Sequence, residues 1–317
     1  QSDAVDVVDV CTPGSSHAEI AIAAAEAGKH VFCEKPLANS LSEAEQMLAA
    51  VRSAGVKHMV NFSYRRCPAI ALAKQMIEAG EIGEVRHWRA TYLQDWLVDP
   101  EFPMNWRLRK ETAGSGAHGD LGAHLIDMSR YLVGEFNEVV GTLNTFIAER
   151  PTEGASNGLS ATAGAGTEAV TVDDASLFLA RFAGGAIGSF EATRLAPGRK
   201  NYNRFEISGS KGSLAWNFER LNELEFYSTA DKSHTCGFRT ILATEGEHEY
   251  VGNWWPPGHM LGYDHTFTNA AADLVQDIAQ DRPCQPDFRD GAQCVAVLDA
   301  VSQSMDSGAW TSVPVVE

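Results

Sequence analysis

Apolar residues set two alternating rhythms in the first fifth of the chain. Val5, Val7, Val8 and Val10 form a nearly continuous apolar run, the pattern of a strand covered on both faces, and it stops at Cys11-Thr12-Pro13-Gly14. Ser16 and Glu19 make an S-x-x-E capping box that predicts a helix through Glu26, with Gly28 as its left-handed C-terminal cap. Residues 30–33 predict a second strand. Ser42 and Glu45 repeat the box, Leu41, Ala44, Met47, Leu48 and Val51 line one helix stripe, and Gly55 ends it. A third strand is expected over residues 57–62. Strand, helix, strand, helix, strand at this spacing builds right-handed β-α-β units and a parallel sheet with helices on its faces. Ligands of such sheets bind beyond the carboxyl ends of the strands, here Thr12-Pro13, Glu34-Lys35-Pro36 and residues 61–66.

Past Pro68 the rhythm changes. A helix to about residue 79, a strand over 85–94, a polar and aromatic loop and a helix over 119–132 come first. Strand patterns follow at 138–146, 175–182, 186–192, 204–209, 212–218 and 223–227, which predict a mostly antiparallel meander. Residues 151–166, rich in Gly, Ala, Ser and Thr, are expected to form a mobile surface loop. Helices over 264–280 and 291–307 close the chain. The expected architecture is α/β followed by α+β: a partial Rossmann domain with a parallel sheet over residues 1–66, then an α+β domain with a large, mostly antiparallel sheet over 67–317. The C-terminal helices are expected to pack back on the first domain. No internal repeat is present.

Composition narrows the class. With 25 basic against 42 acidic residues, a net charge of −17 repels nucleic acid and anionic membrane and points to small neutral partners. The six cysteines contain no C-x-x-C pair, so a disulfide framework or zinc knuckle is not expected and a reducing cytoplasm is. No apolar run approaches the ~20 residues of a membrane span, and no signal segment opens the chain. The one G-x-G-x-x-G match, Gly114-Ser115-Gly116-Ala117-His118-Gly119, follows the charged residues 107–112 rather than a buried strand, which argues against a dinucleotide loop. A sheet entered mid-way would expose a long edge, so the glycine-rich first half of the fold is expected to precede Gln1.

Three constellations carry chemistry. Lys35, in Glu34-Lys35-Pro36 at a strand end, can donate to a substrate hydroxyl and stabilise developing alkoxide charge; Glu34 is expected to hold it. Asp120, His124 and Asp127 fall in a narrow arc of one predicted helix, and a histidine there can shuttle the proton of an alcohol. A solvated face, a mixed carboxylate and imidazole metal site, or plain capping by Asp120 are the competing readings; Gly114, Gly116, Gly119 and Gly122 favour the functional one by admitting a close approach. The aromatic segment Tyr92-Leu-Gln-Asp-Trp96, with Trp106-Arg107, Trp254-Trp255 and Tyr263, suits a sugar ring with its apolar C–H faces. His17 contacts a ribose or merely stands near a helix terminus.

Val7-Val8-Asp9-Val10-Cys11-Thr12-Pro13, the run from Ala27 to Leu37 and the run from Gly119 to Asp127 together resemble the Gfo/Idh/MocA oxidoreductases. The Tyr92 to Trp96 segment, Trp106-Arg107 and Ala113 to Ala117 are most similar to the levoglucosan-oxidising sugar dehydrogenases of that family. The resemblance implies catalytic roles for Lys35, Asp120 and His124. It implies a dinucleotide, NAD or NADP, lined by Thr12, Pro13, His17, Glu34, Lys35, Arg65 and Arg107, and a substrate met by Lys35, Trp96, Asp120, His124 and Tyr263. It further implies oxidation of a ring hydroxyl of a sugar, anhydrosugar or inositol, no metal, and a homodimer or homotetramer formed through the second-domain sheet. The rival readings are an NAD-dependent glycosidase that oxidises its substrate transiently, a non-catalytic sugar and dinucleotide sensor, and, weakest, a metal hydrolase built on His118, Asp120 and His124.

Overall fold

A computed structural model describes residues 2–157 and 160–317, with the side chains of 155–161 outside that description. Strands β1 (Val7–Val10), β2 (His30–Cys33) and β3 (His58–Val60) pair in parallel in that order, with α1 (His17–Glu26) and α2 (Leu41–Ala54) as the crossover helices. The parallel sheet expected from the apolar runs is therefore present. Its helix caps differ in detail from the sequence pattern. Ser16 turns its hydroxyl to Thr12 Oγ1 and Pro13 O instead of capping α1. The second helix is capped two residues earlier than expected, by Ser40, whose Oγ accepts from Glu43 N and donates to the Glu43 carboxylate, and Asp299 accepts from the freed Leu41 N–H. Gly28 and Gly55 have φ of 71° and 65°, the left-handed caps the pattern predicts.

The second unit begins with α3 (Pro68–Glu78), β4 (Val85–Leu93), the short α4 (Lys110–Ala113), a π-helical turn (His118–Gly122) and α5 (Ala123–Leu132). Then come β5 (Phe136–Asn144), β6 (Glu149–Asn157), β7 (Ser160–Ala169), β8 (Ala175–Phe182), β9 (Ile187–Thr193), β10 (Tyr202–Gly209), β11 (Gly212–Asn217), β12 (Glu223–Ser228) and β13 (Arg239–Leu242). The helices α6 (Tyr263–Ala279) and α7 (Phe288–Ser307) and the short β14 (Thr311–Ser312) end it. Nine of these strands form one sheet in the order β13-β12-β11-β10-β4-β9-β8-β5-β14. It is not a simple meander: β4, the first strand in sequence, inserts between β9 and β10 and runs parallel to β9. Trp88, Ala90 and Tyr92 on β4 are buried, which favours a central place for that strand.

The segment 151–166, expected as a loop, instead belongs to the antiparallel β6–β7 hairpin. Thr and Ala satisfy a two-stranded ribbon whose hydrophobic signal is weak; residues 158 and 159 of that expectation lie outside the described residues. One apolar cluster runs from Val31, Leu37, Met47 and Val60 in the first unit to Phe288, Val297 and Val301 on α7. Gly291 makes this approach feasible, since a Cβ there would lie 2.8 Å from Val60 and 2.9 Å from Leu37. Among the described residues no helix is long and apolar enough to cross a membrane.

Candidate active site

The exit turns of β1 and β2 meet the π-helical turn of the second unit at one small cavity. Thr12, Gly14, His17, Lys35, Pro36, Trp106, Arg107, Ala113, Ser115, Asp120 and Arg194 line it. Lys35 reaches across the junction and donates to Asp120 Oδ1 at 2.7 Å and to Asp120 O at 2.9 Å. Glu34, expected to hold this ammonium, does something else. Its carboxylate accepts from Asn61 Nδ2 at 2.6 Å and from the Lys35 main-chain N–H at 3.2 Å, fixing the loop rather than the side chain.

Asp120 is shared between two cations. Arg194, at the end of β9, donates through Nη2 to Asp120 Oδ2 at 3.0 Å and to Gly116 O at 2.9 Å. Burial opposes ionisation of Asp120, but Lys35 and Arg194 outweigh it and hold the carboxyl well below the usual range. One helical turn on, His124 is buried, and burial with the Lys35 ammonium pushes its imidazole well below the ordinary value of 6.5 against the opposing pull of Asp120. The ring stands edge-on to Tyr64 at 4.7 Å and 5.9 Å from the Tyr92 ring. Among the described residues no hydrogen-bond partner occupies its nitrogens, which leaves a neutral imidazole free to accept a proton.

The loop before this turn explains the glycines. Asp173 accepts from Gly116 N and His118 N, each at 2.7 Å, while its own carbonyl accepts from Ala117 N at 3.1 Å. A Cβ on Gly116 would lie 1.7 Å from Asp173 O. The close approach at Gly116 is thus by the chain's own backbone, while Gly114 and Gly119 are met by the side chains of Asn39 and Ser115 and Gly122 has only ordinary contacts. His118 turns away from Asp120, with its ring nitrogens on Ser176 Oγ and Leu298 O.

The remaining sequence candidates divide. His17 is buried, with Nε2 on Thr12 O at 2.8 Å and Nδ1 facing Pro36 O and Leu37 O at 3.1 and 3.2 Å, so it ties the two exit turns together. Trp96 donates to Gln94 Oε1 and lies under the Arg194 guanidinium at 5.6 Å. Tyr263 stands 6.1 Å from the Tyr64 ring on the aromatic side of His124. Pro13 adjoins Thr12, and Arg107 packs on Trp106 at 4.3 Å. Arg65 is not brought to this cavity: it makes a two-pronged pair with Asp127 at 2.6 and 3.0 Å and lines a separate charged cleft with Arg66, Arg130 and Asp290. Asp127 is turned to Arg65 as well, so the polar helix face serves two places. Sequence reasoning missed Arg194, Tyr64 and Asp173. None of the three left a distinct local signal, since each acquires its role from a partner distant in the chain.

The cavity gathers Lys35, Arg107 and Arg194 against Asp120 alone. In a chain of net charge −17, this local positive excess at the carboxyl ends of a parallel sheet fits an anionic dinucleotide. Fold and site together define a two-domain, dinucleotide-dependent oxidoreductase. The chain belongs to the Gfo/Idh/MocA oxidoreductase family: residues 1–62 match its NAD-binding Rossmann fold and residues 70–215 its C-terminal domain. It is 48% identical over 314 residues to levoglucosan dehydrogenase of Pseudarthrobacter phenanthrenivorans, covering 98% of this chain and 80% of that one. A crystal structure of an oxidoreductase domain protein from Kribbella flavida superimposes with a TM-score of 0.93 at 55% identity, covering 99% of this chain and 81% of the other. Levoglucosan dehydrogenase in complex with NADH and levoglucosan superimposes with a TM-score of 0.93 at 46% identity, over 99% and 81% of the two chains.

Proposed function

We propose that the protein is an NAD-dependent dehydrogenase that oxidises a ring hydroxyl of a small neutral carbohydrate, with levoglucosan-like anhydrosugars as the first candidates and pyranoses and inositols next. One observation carries the reading. Asp120 bridges Lys35 and Arg194 while a neutral His124 with unoccupied nitrogens stands one turn away, at the strand ends where a dinucleotide binds. The relatives that act on levoglucosan and inositol support the substrate class.

A bound nicotinamide supplies the hydride acceptor; the chain supplies the rest. Thr12, Pro13, Glu34 and Arg107 would hold the dinucleotide, and His17 shapes the turn that carries Thr12. Two of the three Lys35 N–H bonds go to Asp120, so the third is available to the substrate oxygen. His124 takes the hydroxyl proton, and the Lys35 charge stabilises the oxygen as that proton leaves. Trp96 and Tyr263 offer flat apolar faces to the ring. Arg65 acts from behind, by fixing Asp127 on the helix that carries His124. The open face of the nine-stranded sheet, with Leu177, Leu179 and Ile187 exposed, pairs with a second copy.

The test is a panel of anhydrosugars, pyranoses and inositols with NAD and NADP, followed by absorbance of the reduced cofactor. Accumulation of NADH with at least one cyclic polyol is expected. Dinucleotide binding with no turnover would instead support a sensor, and sugar cleavage without net NADH would support a hidden redox cycle.

A further inference from the structure

Arg194 was invisible as a functional residue in the sequence, yet it is the most deeply buried charge of the site, 1% exposed. Its position follows from the one parallel pairing in the nine-stranded sheet. Because β4 and β9 run the same way, both carboxyl ends reach the same edge: β4 delivers Gln94 and Trp96 there, and β9 delivers Arg194. The guanidinium packs on the Trp96 ring, donates to Gly116 O and Asp120 Oδ2, and sends Nη1 toward Arg107 O at 3.5 Å. Its Nε is buried without a hydrogen-bond partner among the described residues. An arginine kept for stability alone would gain by satisfying that donor, whereas here the fork is aimed at the carboxylate and the cost of the orphan is tolerated.

We propose that Arg194 is a positioning residue for the oxidation: it locks the Asp120 carboxylate so that Oδ1 faces Lys35, and it supplies a fixed cation that offsets the Asp120 charge felt by His124. The proposal rests on the dehydrogenase reading and deepens it. Lys35 alone cannot do this work, since its ammonium must also meet the substrate oxygen. With Arg194 in place, Asp120 remains neutralised and aligned while Lys35 turns its third hydrogen to the ligand. The groups facing His124 are Lys35 from the loop after β2, Asp120 from the π-helical turn, Tyr64 from the turn after β3 and Tyr92 from β4, with Tyr263 on α6 behind Tyr64. Arg194 reaches His124 only through Asp120.

The experiment compares wild type with Arg194→Gln and Arg194→Lys. Without cofactor, the His124 ring is followed by NMR across pH: in Arg194→Gln the less-neutralised Asp120 should make it take its proton at higher pH than in wild type, and Arg194→Lys should restore the wild-type position. With cofactor and substrate, both saturating, kcat should fall about a hundredfold in Arg194→Gln, in keeping with a misplaced catalytic group, and recover only partly in Arg194→Lys. A His124 titration that does not move in Arg194→Gln overturns the proposal. If Arg194→Gln fails to fold, Arg194→Lys decides: wild-type kcat, or a displaced His124 titration, also overturns it. Wild-type protein that oxidises no sugar sinks the dehydrogenase reading instead, and the two failures are separable because the NMR titration needs no substrate.

Discussion

Lys35 and His124 sit on different units of the fold and are joined through Asp120, so each has a distinct signature when removed. Lys35→Ala deletes the donor to the reacting oxygen and one of the two cations on Asp120. Turnover should drop about 10²–10³-fold, the usual loss for one donor at a developing charge, while fluorescence titration shows the dinucleotide still bound; undiminished turnover would remove Lys35 from the mechanism. His124 acts through its neutral form. Burial and Lys35 depress its pKa below 6.5, so it remains unprotonated through the neutral range and gains a proton only in more acid solution. The acid limb of kcat/KM in wild type should therefore lie below pH 6.5. His124→Asn should cut the rate about 10²–10⁴-fold, the range for a lost general base, and leave the residual rate flat across that region. A residual rate that still falls with the wild-type limb would assign the limb to another group.

Elements decide whether those side chains meet, and here the sequence was partly legible. The β-α-β rhythm placed Lys35 at a strand end, and the period of the 119–132 segment placed Asp120 and His124 on one face, because both signals are local. The helix start was not legible as a π-helical turn, since nothing in Gly119-Asp120-Leu121-Gly122 distinguishes it from an α-helical one. Nor was the role of Arg194, which depends on a parallel strand pairing between residues about a hundred positions apart. Arg65, which the family resemblance places on the dinucleotide, is paired with the Asp127 carboxylate of another element, a contact that no local pattern reveals. Gly114, Gly116 and Gly119 are sites of close approach, but by the chain itself, and Gly122 is not one. Gly116→Ala tests this: a methyl 1.7 Å from Asp173 O must push the loop aside. Loss of about 1–3 kcal/mol is expected from overpacking, read as a lowered Tm together with weakened turnover as Asp120 shifts. A variant as stable and active as wild type would show that the loop can yield without moving the site.

At the scale of the whole molecule, the two faces of the large sheet are treated unequally. α7 covers one, with Ser304 Oγ accepting from Gly141 N at 2.9 Å and Val301 packed into the common core. The other leaves Leu179 at 52% and Ile187 at 54% exposed, on neighbouring strands, with Leu177 beside them and Val140 directly across from Leu179. The alternation along β8 puts Phe178, Ala180 and Phe182 inside, so the outward leucines cannot be explained as displaced core. On this face Leu177, Leu179 and Ile187 pair across the strands with Glu191, Ser189 and Arg181, so a closed, two-fold contact of the face with itself would bury apolar side chains and set both signs of charge against one another despite the net charge of −17. Leu179→Lys combined with Ile187→Lys places like charges across such a contact while leaving the inner face and the Lys35 cavity untouched. Light scattering should then report a particle of one chain, 34.3 kDa, where wild type gives a multiple of it. A wild-type protein that is already monomeric, or a double variant that retains the wild-type mass, would remove this face from the assembly.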